Sequence, residues 1–567
     1  MSELRPSFLW LPLGLLFAAA VGYGAYRFQS GSGREALAHE THARAEIGRR
    51  APPDAPSAAP SASPGTAPPR ELQAAGMAFS AATGSARAQE RVLALDSELR
   101  ARFEALIATA LAEVDRVPKA KRSECSVSYR VIDLASGQTI AERDPDRSLE
   151  SASNMKLLTS LAALWMLGPE WHYETHVDAV GELAAGQLTG DLVVRASGDP
   201  FCRWGEPRAA VELVASLAQG VAESGLKRVR GDLLIDRSPF LEPGPAAGWP
   251  NPKLYWTKSY ALAGGLTLNA GLVAVEVRPG PAGGQAEVRL IPAPTGLSES
   301  FSVLSDPGKA NDVRIGLFVE SNRLEVSGRY GAGLPLYQTE FSHPRPEQHF
   351  AAVLREQLRQ VGIEIEGGLR SVSGAGVGTR LYTHRQPWLE HLAAINTDSA
   401  NSLADGLLMT LGAQRFAEGT RAAGARAVAA VLAERGLPTQ GLVQVDGSGL
   451  SRDNRVTARI LSEALCAVRE LPAGQRSAFE ESLALAGVSG TLEDRMRSGA
   501  AKGRVRAKTG WINGASSLSG FASSLAGREL AFSILVAYPR IDGLNTRAWK
   551  PMQDRMCEAL VEWPGPR

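Results

Sequence analysis

The feature of this sequence that most constrains its fold is a change in hydrophobic periodicity along the chain. From about Val177 to Arg380, short β-like runs such as Leu272 to Arg278 alternate with Gly/Pro clusters, and only a few helices interrupt them, as at Arg208 to Glu223. Helical spacing of apolar residues precedes this stretch and returns from His391 onward. The pattern predicts a mainly β insertion of about 200 residues. The flanking predictions are helices at 90–114, 156–167, 402–416, 420–435, 458–470 and 547–560, and strands at 126–134, 504–508, 518–522 and 530–537.

The N-terminal segment indicates export from the cytoplasm. Residues 8–26 (Phe8 to Tyr26) carry no charge and lie between Arg5 and Arg27, which suits a membrane anchor of about 20 residues or the core of an export signal. The run is longer than the roughly 7–15 residues of a signal core, which favours the anchor. Residues 29–88 are rich in Pro, Ala and Ser and predict an extended linker.

The composition of the chain excludes several classes of protein. With 61 Lys and Arg against 60 Asp and Glu, the net charge of +1 gives no general attraction to nucleic acid, and no nucleic-acid partner is expected. A hydrophobic fraction of 44% excludes a wholly disordered chain. Four cysteines, at 125, 202, 466 and 557, form no C-x-x-C pair; two disulfides are possible in an oxidising compartment, and their pairing stays open.

Ser153-Asn154-Met155-Lys156 is the first of three short motifs that can carry chemistry. Residues i and i+3 share a helix face, so a neutral Lys156 can take the proton of the Ser153 hydroxyl and make it a nucleophile. The pattern is weak alone, since Ser224-Gly-Leu-Lys227 also fits it. A Gly inside that second copy and an ending helix indicate a solvated helix C-terminus.

The other two motifs follow in order along the chain. Ser399-Ala400-Asn401 stands at a predicted helix start, where the simpler interpretation is an N-cap. Lys508-Thr509-Gly510 stands at the end of a predicted strand, where the simpler interpretation is a strand entering a turn. Each is ambiguous by itself, but the three together and in this order are a strong signal.

This order resembles the serine penicillin-recognising enzymes, and most closely the D-alanyl-D-alanine carboxypeptidase/endopeptidase family, the class C penicillin-binding proteins. The spacing from Ser153 to Ser399 leaves room for the large insertion of that family. The resemblance covers about residues 125–562 and includes further segments at 198–200, 446–451, 490–496 and 519–521. It implies an α+β fold, with a five-stranded antiparallel sheet flanked by helices, split in sequence by inserted β-rich domains.

The resemblance also implies a role for each motif residue. Ser153 would be the acylated nucleophile with Lys156 as its base, Ser399 and Asn401 would relay protons and hold the substrate amide, and Lys508 would orient the relay. Thr509, with Gly510 and Trp511 beside it, would bind the terminal carboxylate, and the N–H groups of Ser153 and Trp511 would form the oxyanion hole. The chain departs from the family pattern at Trp511, where a Ser or Thr is usual, and at Ser151, where a Pro is common.

We expect Lys156 to be neutral enough to act as a base. A free Lys titrates near 10.4. Burial on an apolar helix and a second cation, Lys508, should both lower the pKa of Lys156. No Asp or Glu lies within the three motifs to oppose this.

The resemblance implies an exported serine D,D-peptidase acting on peptidoglycan stem peptides, as a D-Ala-D-Ala carboxypeptidase or a cross-link endopeptidase, and acylated by β-lactams. No cofactor or metal is expected; His172 and His176 are spaced i, i+4 without a His-Glu-x-x-His motif. A β-lactamase and a catalytically weak membrane-tethered β-lactam or peptidoglycan sensor are the alternatives. The sequence does not determine the oligomeric state.

These inferences divide the chain into five parts. The first two are an anchor or signal at 1–28 and a linker at 29–88. A first catalytic part then spans 89–180, inserted β-rich domains span 181–380, and a second catalytic part spans 381–567.

Overall fold

The computed structural model describes residues 82–565, apart from residues 241–243 and 255. The predicted anchor at 8–26 and most of the predicted linker lie outside these residues. Within the described ranges, no helix is both long and apolar enough to cross a membrane. The α-helices are α1 Ala82–Asp115, α2 Met155–Met166, α3 Pro207–Ala222, α4 Pro346–Gln360, α5 Leu392–Asn396, α6 Asn401–Phe416, α7 Arg421–Glu434, α8 Ala458–Ala467, α9 Ala473–Ser482 and α10 Lys550–Glu562.

The strands form four sheets. They are β1 Ser126–Asp133, β2 Thr139–Arg143, β3 His172–Ala184, β4 Gln187–Arg195, β5 Arg228–Val229, β6 Leu233–Asp236, β7 Leu272–Arg278, β8 Glu287–Ile291, β9 Ser298–Asp306, β10 Arg314–Phe318, β11 Arg323–Gly331, β12 Tyr337–Ser342, β13 Glu364–Ile365, β14 Leu369–Val372, β15 Thr379–Pro387, β16 Ala484–Leu485, β17 Val505–Ile512, β18 Ala515–Ser523 and β19 Glu529–Ala537.

The central sheet is antiparallel, with the strand order β16-β17-β18-β19-β1-β2. It combines two strands from the N-terminal part of the described chain, β1 and β2, with four strands from its C-terminal part. Tyr129 of β1 pairs with Ile534 of β19, so strands about 400 residues apart are neighbours. Five strands were expected, and the sixth is the two-residue edge strand β16. The α+β fold predicted from the resemblance is confirmed.

Both faces of this sheet are covered by helices. Alternate residues of a strand point to opposite faces. On one face, Tyr129 and Phe532 pack with Phe103 of α1 and Trp549 near α10; on the other, Leu535 packs with residues of α2, α6 and α8. Helix α1 begins at Ala82, before the predicted start at Glu90. The prediction missed its first two turns because the apolar repeat of the sequence starts only after them.

The inserted region has a mixed sheet of seven strands and two three-stranded sheets. Parallel pairs such as β4 with β6 and β14 with β6 require crossovers, and α3 and α4 pack on this sheet through a shared core. The sequence analysis did not predict α4, because polar residues separate its apolar positions along the chain. The apolar face of the helix is formed by Phe350, Val353, Leu354 and Leu358. Strands β3 and β15 pair with each other, so the division points near residues 180 and 380 both lie within this strand pair.

Candidate active site

Ser153 lies in a short 3-10 turn, Ala152–Asn154, directly before α2. The sequence analysis placed it in the first turn of the helix itself. In a 3-10 turn residues i and i+3 still lie above one another, and Lys156 Nζ is 3.1 Å from Ser153 Oγ. Ala152 has a φ of 43°, an unfavourable conformation for a non-glycine residue, which indicates that the turn is held by its surroundings.

Lys156 is fully buried and surrounded by three acceptors. Besides Ser153 Oγ, its Nζ lies 2.6 Å from Asn401 Oδ1 and 2.5 Å from Ser448 O. A neutral amine has two hydrogens and one lone pair. When Asn401 and Ser448 accept the two hydrogens, the lone pair is left facing the Ser153 hydroxyl. The site can therefore hold a base in the orientation that proton removal requires.

Burial lowers the pKa of Lys156 to about 7, as expected in direction. Two carboxylates from outside the motifs, Asp446 and Asp405, oppose this shift, and the sequence analysis did not identify them. The repulsion between the two lysines is expressed in the lowered pKa of Lys508. Desolvation therefore outweighs two opposing charges.

Asp446 shapes the turn that aims a carbonyl at Lys156. Its carboxylate accepts hydrogen bonds from the N–H groups of Gly449 (2.6 Å) and Ser451 (2.7 Å), from Trp249 Nε1 (2.8 Å) and from Asn454 Nδ2 (2.8 Å). The sequence analysis included the segment 446–451 in the family resemblance but missed its effect on Lys156. A buried carboxylate with four donors is the feature that fixes this turn.

Asp405 of α6 holds the same turn from the other side. Its Oδ1 accepts from the N–H groups of Gly447 and Ser448, both at 2.9 Å, and its Oδ2 from Arg421 Nε at 3.2 Å. Burial raises the pKa of Asp405, against the effect of Arg421. Asp405 lies four residues after Asn401 on a helix, the spacing at which a polar residue shares its face.

Asn401, the first residue of α6, reaches the site, and Ser399 lies two residues before it. Ser399 has a φ of 64°, and the N-cap position is Ala400, so the N-cap interpretation of Ser399 does not hold. Asn401 accepts from Lys156 and donates from Nδ2 to Ser259 O at 2.8 Å. Ser259, which sequence reasoning missed, belongs to the inserted region, so Asn401 connects the base to the insertion.

Lys508, Thr509, Gly510 and Trp511 lie within β17 rather than at its end, because pairing with β18 continues to Ile512. Lys508 is fully buried, and burial together with Lys156 holds its pKa well below the usual value. Its Nζ donates to Thr509 O at 3.1 Å.

The glycine of the third motif permits close packing against the turn that carries the serine. A Cβ on Gly510 would lie 2.1 Å from Ser517 Oγ, 2.7 Å from Ser151 O and 3.0 Å from Ser153 N. With its amide oriented to accept from Ser519, Asn154 donates to Lys508 O at 2.9 Å. The first and third motifs are thus brought into direct contact.

Trp511 points away from this contact. Its side chain is 58% exposed, and its Nε1 donates to Tyr538 Oη at 3.0 Å. Thr509 is half-buried two residues before it. Because the indole N–H donates to Tyr538, it does not replace the missing hydroxyl as a donor to a substrate carboxylate.

The structure shows the surroundings of the other residues that the sequence analysis singled out. Ser224 caps the end of α3 by donating to Val221 O at 2.6 Å, far in sequence from the motifs. His172 and His176 hydrogen-bond to Glu170 O and Thr383 Oγ1, and no metal-binding group of His, Cys, Asp and Glu occurs among the described residues. All four cysteines are free thiols.

Comparison with known proteins places the chain in a family. Residues 108–560 match the D-Ala-D-Ala carboxypeptidase 3 (S13) family. The chain is 33% identical over 455 residues to a D-alanyl-D-alanine carboxypeptidase of Actinomadura sp. (strain R39), covering 77% of this chain and 81% of the relative. It is 26% identical over 414 residues to the D-alanyl-D-alanine carboxypeptidase DacB of Haemophilus influenzae, covering 72% of this chain and 84% of the relative.

The fold has solved counterparts. The crystal structure of penicillin binding protein 4 from Haemophilus influenzae covers 80% of this chain and 98% of its own, with a TM-score of 0.66 and 22% identity. A second structure of that protein, complexed with a β-lactam, has a TM-score of 0.62, with 21% identity over 81% of this chain and 99% of its own. On the family match and the curated relatives, this chain belongs to the D-Ala-D-Ala carboxypeptidase 3 (S13) family.

Proposed function

We propose that the chain is a serine D,D-peptidase that cleaves D-Ala-D-Ala-type peptide bonds of peptidoglycan through an acyl-enzyme on Ser153. Family membership supports the serine-type hydrolase. The observation that carries the site assignment is the 3.1 Å contact between Lys156 Nζ and Ser153 Oγ, with two other acceptors oriented to take the amine hydrogens.

Acylation begins with proton transfer. Lys156 takes the hydroxyl proton as Ser153 Oγ attacks the carbonyl carbon of the scissile bond. The N–H groups of Ser153 and Trp511 donate to the resulting oxyanion. The C–N bond then breaks, and the leaving amine takes a proton through Ser399, which leaves an ester on Ser153.

Deacylation returns the enzyme to its first state. Water attacks the ester carbonyl, the Ser153–acyl bond breaks, and Ser153 regains its proton. Asn401 holds the substrate amide, Lys508 orients the proton relay, and Thr509, flanked by Gly510 and Trp511, binds the terminal carboxylate. A β-lactam acylates the same serine because its strained amide is attacked in the same way.

The assignment is tested by labelling with a fluorescent penicillin. Wild type and Ser224→Ala should label equally, since Ser224 lies at the end of α3, and Ser153→Ala should not label. Labelling of Ser153→Ala at the wild-type level would overturn the assignment of the nucleophile. A muropeptide digest analysed by mass spectrometry then tells carboxypeptidase products from endopeptidase products.

The alternative of a β-lactamase is disfavoured because fast deacylation there requires a positioned carboxylate, and the Glu-x-x-Leu-Asn segment is absent from the sequence. A weakly catalytic sensor would label with penicillin but would not turn over peptides. Steady turnover of a D-Ala-D-Ala peptide by wild type therefore separates the peptidase from the sensor.

The site of action we propose is extracytoplasmic, with residues 8–26 as a tether to the inner membrane. The support is the uncharged run and the proline-rich segment that follows it. Cell fractionation with and without residues 1–28 tests this: the full chain should sediment with membranes and the shortened chain, exported by a cleavable signal, should be released.

A further inference from the structure

A cavity lined by arginines lies at the end of the central sheet away from the three motifs. Its volume is about 460 Å³, and its lining includes four arginines, Arg469, Arg476, Arg504 and Arg506. Its lining contains none of the residues of the three motifs. Cavities of roughly 300–1,000 Å³ are of the size that encloses small organic ligands.

The arginines face the cavity from two walls. Arg469 lies in the 3-10 turn Val468–Glu470 and Arg476 on α9, whereas Arg506 lies on β17 and Arg504 directly before it. Guanidinium groups that line one cavity can bind the same oxyanion, each through two parallel N–H donors.

These four arginines differ from nearby arginines in making no direct ion pair. Within the described ranges, none of them forms an ion pair within 4 Å or a side-chain hydrogen bond, whereas Arg528 pairs with Asp133 and Arg495 with Asp554. Their guanidinium donors are therefore available to an anion, and a bound anion would reduce the repulsion among them.

Two carboxylates line the same cavity and leave an excess of positive charge. Glu529 accepts from Ser523 Oγ at 3.0 Å. Burial raises the pKa of Glu480, although Arg476, Arg469 and Arg506 act in the opposite direction. Four arginines against two carboxylates give a net charge of +2 when both carboxylates are ionised.

The remaining lining is apolar. Leu134, Leu485 and Phe521 contribute surface beside the guanidinium groups. We propose that this cavity binds a phosphorylated small molecule, with its phosphate group held by arginines from both walls and its organic part against the apolar surface. Phosphate matches the fork of donors that arginine presents, and the apolar lining suits an organic substituent more than a bare ion.

The experiment is calorimetric titration of the full chain with inorganic pyrophosphate and with phenyl phosphate, with inorganic phosphate as the reference ligand. Both should bind, phenyl phosphate more tightly than inorganic phosphate, and binding should weaken as salt is raised. The double variant Arg469→Gln/Arg476→Gln should bind phenyl phosphate and pyrophosphate about tenfold or more weakly, because it loses hydrogen bonds between charged arginines and the charged phosphate. Penicillin labelling and melting temperature should stay at wild-type values, which shows that the fold and the motif site are intact.

Arg497→Gln is the matched control. This exposed arginine pairs with Asp494 and does not line the cavity, so its substitution should leave phosphate binding unchanged. Glu480→Gln should tighten binding, because it removes a negative charge facing the ligand. Absence of phosphate binding by wild type, or equal loss in Arg497→Gln and the double variant, overturns the proposal.

A lipid headgroup could present the same phosphate chemistry. Vesicles of phosphatidylcholine with and without phosphatidylglycerol distinguish a lipid headgroup from a soluble phosphorylated molecule as the ligand. Binding of free pyrophosphate with equal binding to both kinds of vesicle supports a soluble ligand; vesicle binding that requires phosphatidylglycerol, without pyrophosphate binding, would overturn the cavity as the site.

Discussion

Trp511 and Tyr538 are joined by a hydrogen bond of 3.0 Å from the indole Nε1 to the phenol oxygen. The bond ties the residue after the Lys-Thr-Gly motif to the segment following β19. Tyr538 is buried, and its ring lies 6.0 Å from that of Trp549. The indole is therefore held in place directly after the Lys-Thr-Gly motif, where the family resemblance implies a Ser or Thr.

Replacing Trp511 by Ser should speed cleavage of peptides with a free terminal carboxylate more than cleavage of cross-links. One added hydrogen bond to a charged group contributes about 1.5–3 kcal/mol, roughly 10–150-fold in rate. The measurement is kcat/KM on both substrate classes. Tyr538→Phe removes the indole's acceptor and leaves residue 511 without a hydroxyl, so it should not reproduce this selective gain. An equal change on both substrates would contradict the role assigned to this position.

The acylation rate should depend on the protonation of Lys156. With the free amine as the proposed base, the rate should rise with pH around the pKa of about 7, well below the pKa of a free Lys. Lys156→Arg should be nearly inactive, since a guanidinium does not deprotonate in proteins. The measurement is a pH profile of acylation by a chromogenic β-lactam. Acylation by Lys156→Arg within a few-fold of wild type would assign the base to another group.

Asp446→Asn should shift the rising limb of the profile of acylation rate against pH to lower pH. The Asp446 carboxylate raises the pKa of Lys156, so removing its charge lets the amine lose its proton more easily. The amide also disturbs four hydrogen bonds, and the free energy of unfolding should fall by about 1–3 kcal/mol. Asp453→Asn, on the exposed part of the same turn, is the control and should leave the limb in place. A limb that moves to higher pH in Asp446→Asn would contradict the electrostatic assignment.

Gly510→Ala should abolish acylation. The new methyl group would lie 2.1 Å from Ser517 Oγ and 3.0 Å from Ser153 N, so the serine turn must move away from β17. Gly474→Ala places a methyl on α9 with no atom within 4 Å and should acylate normally. Stopped-flow acylation of the two variants compares them directly, and normal acylation by Gly510→Ala would show that the contact is not needed.

Removal of residues 1–81 should leave a folded enzyme with unchanged turnover of soluble peptides. Buried apolar residues of α1 begin with Leu99 and Phe103, which the shortened chain keeps. Peptide turnover and thermal unfolding of both chains provide the measurement. A truncated chain that melts at lower temperature would place part of the fold before Ala82.

Local patterns in the sequence were enough to predict most secondary structure and the three motifs. Helical spacing identified α2 and α6, and alternation identified β1 and β18, because these signals lie within a few residues of one another. The polar residues between the apolar positions of α4 weakened its signal, and the two-residue strand β16 is defined only by its partner β17.

The sequence by itself determined the family, the α+β fold and the residues Ser153, Lys156, Ser399, Asn401 and Lys508 as candidates. The tertiary structure alone decided which groups surround Lys156, because Asp405, Asp446, Ser448 and Ser259 come from segments more than 100 residues away from it along the chain. Electrostatic and desolvation effects act through space, and a carboxylate outside a motif gives no local sequence signal of what it will approach. The pKa of Lys156 is therefore a property of the fold, whereas Lys156 could be proposed as the base from its place in the first of three motifs that occur in order along the chain.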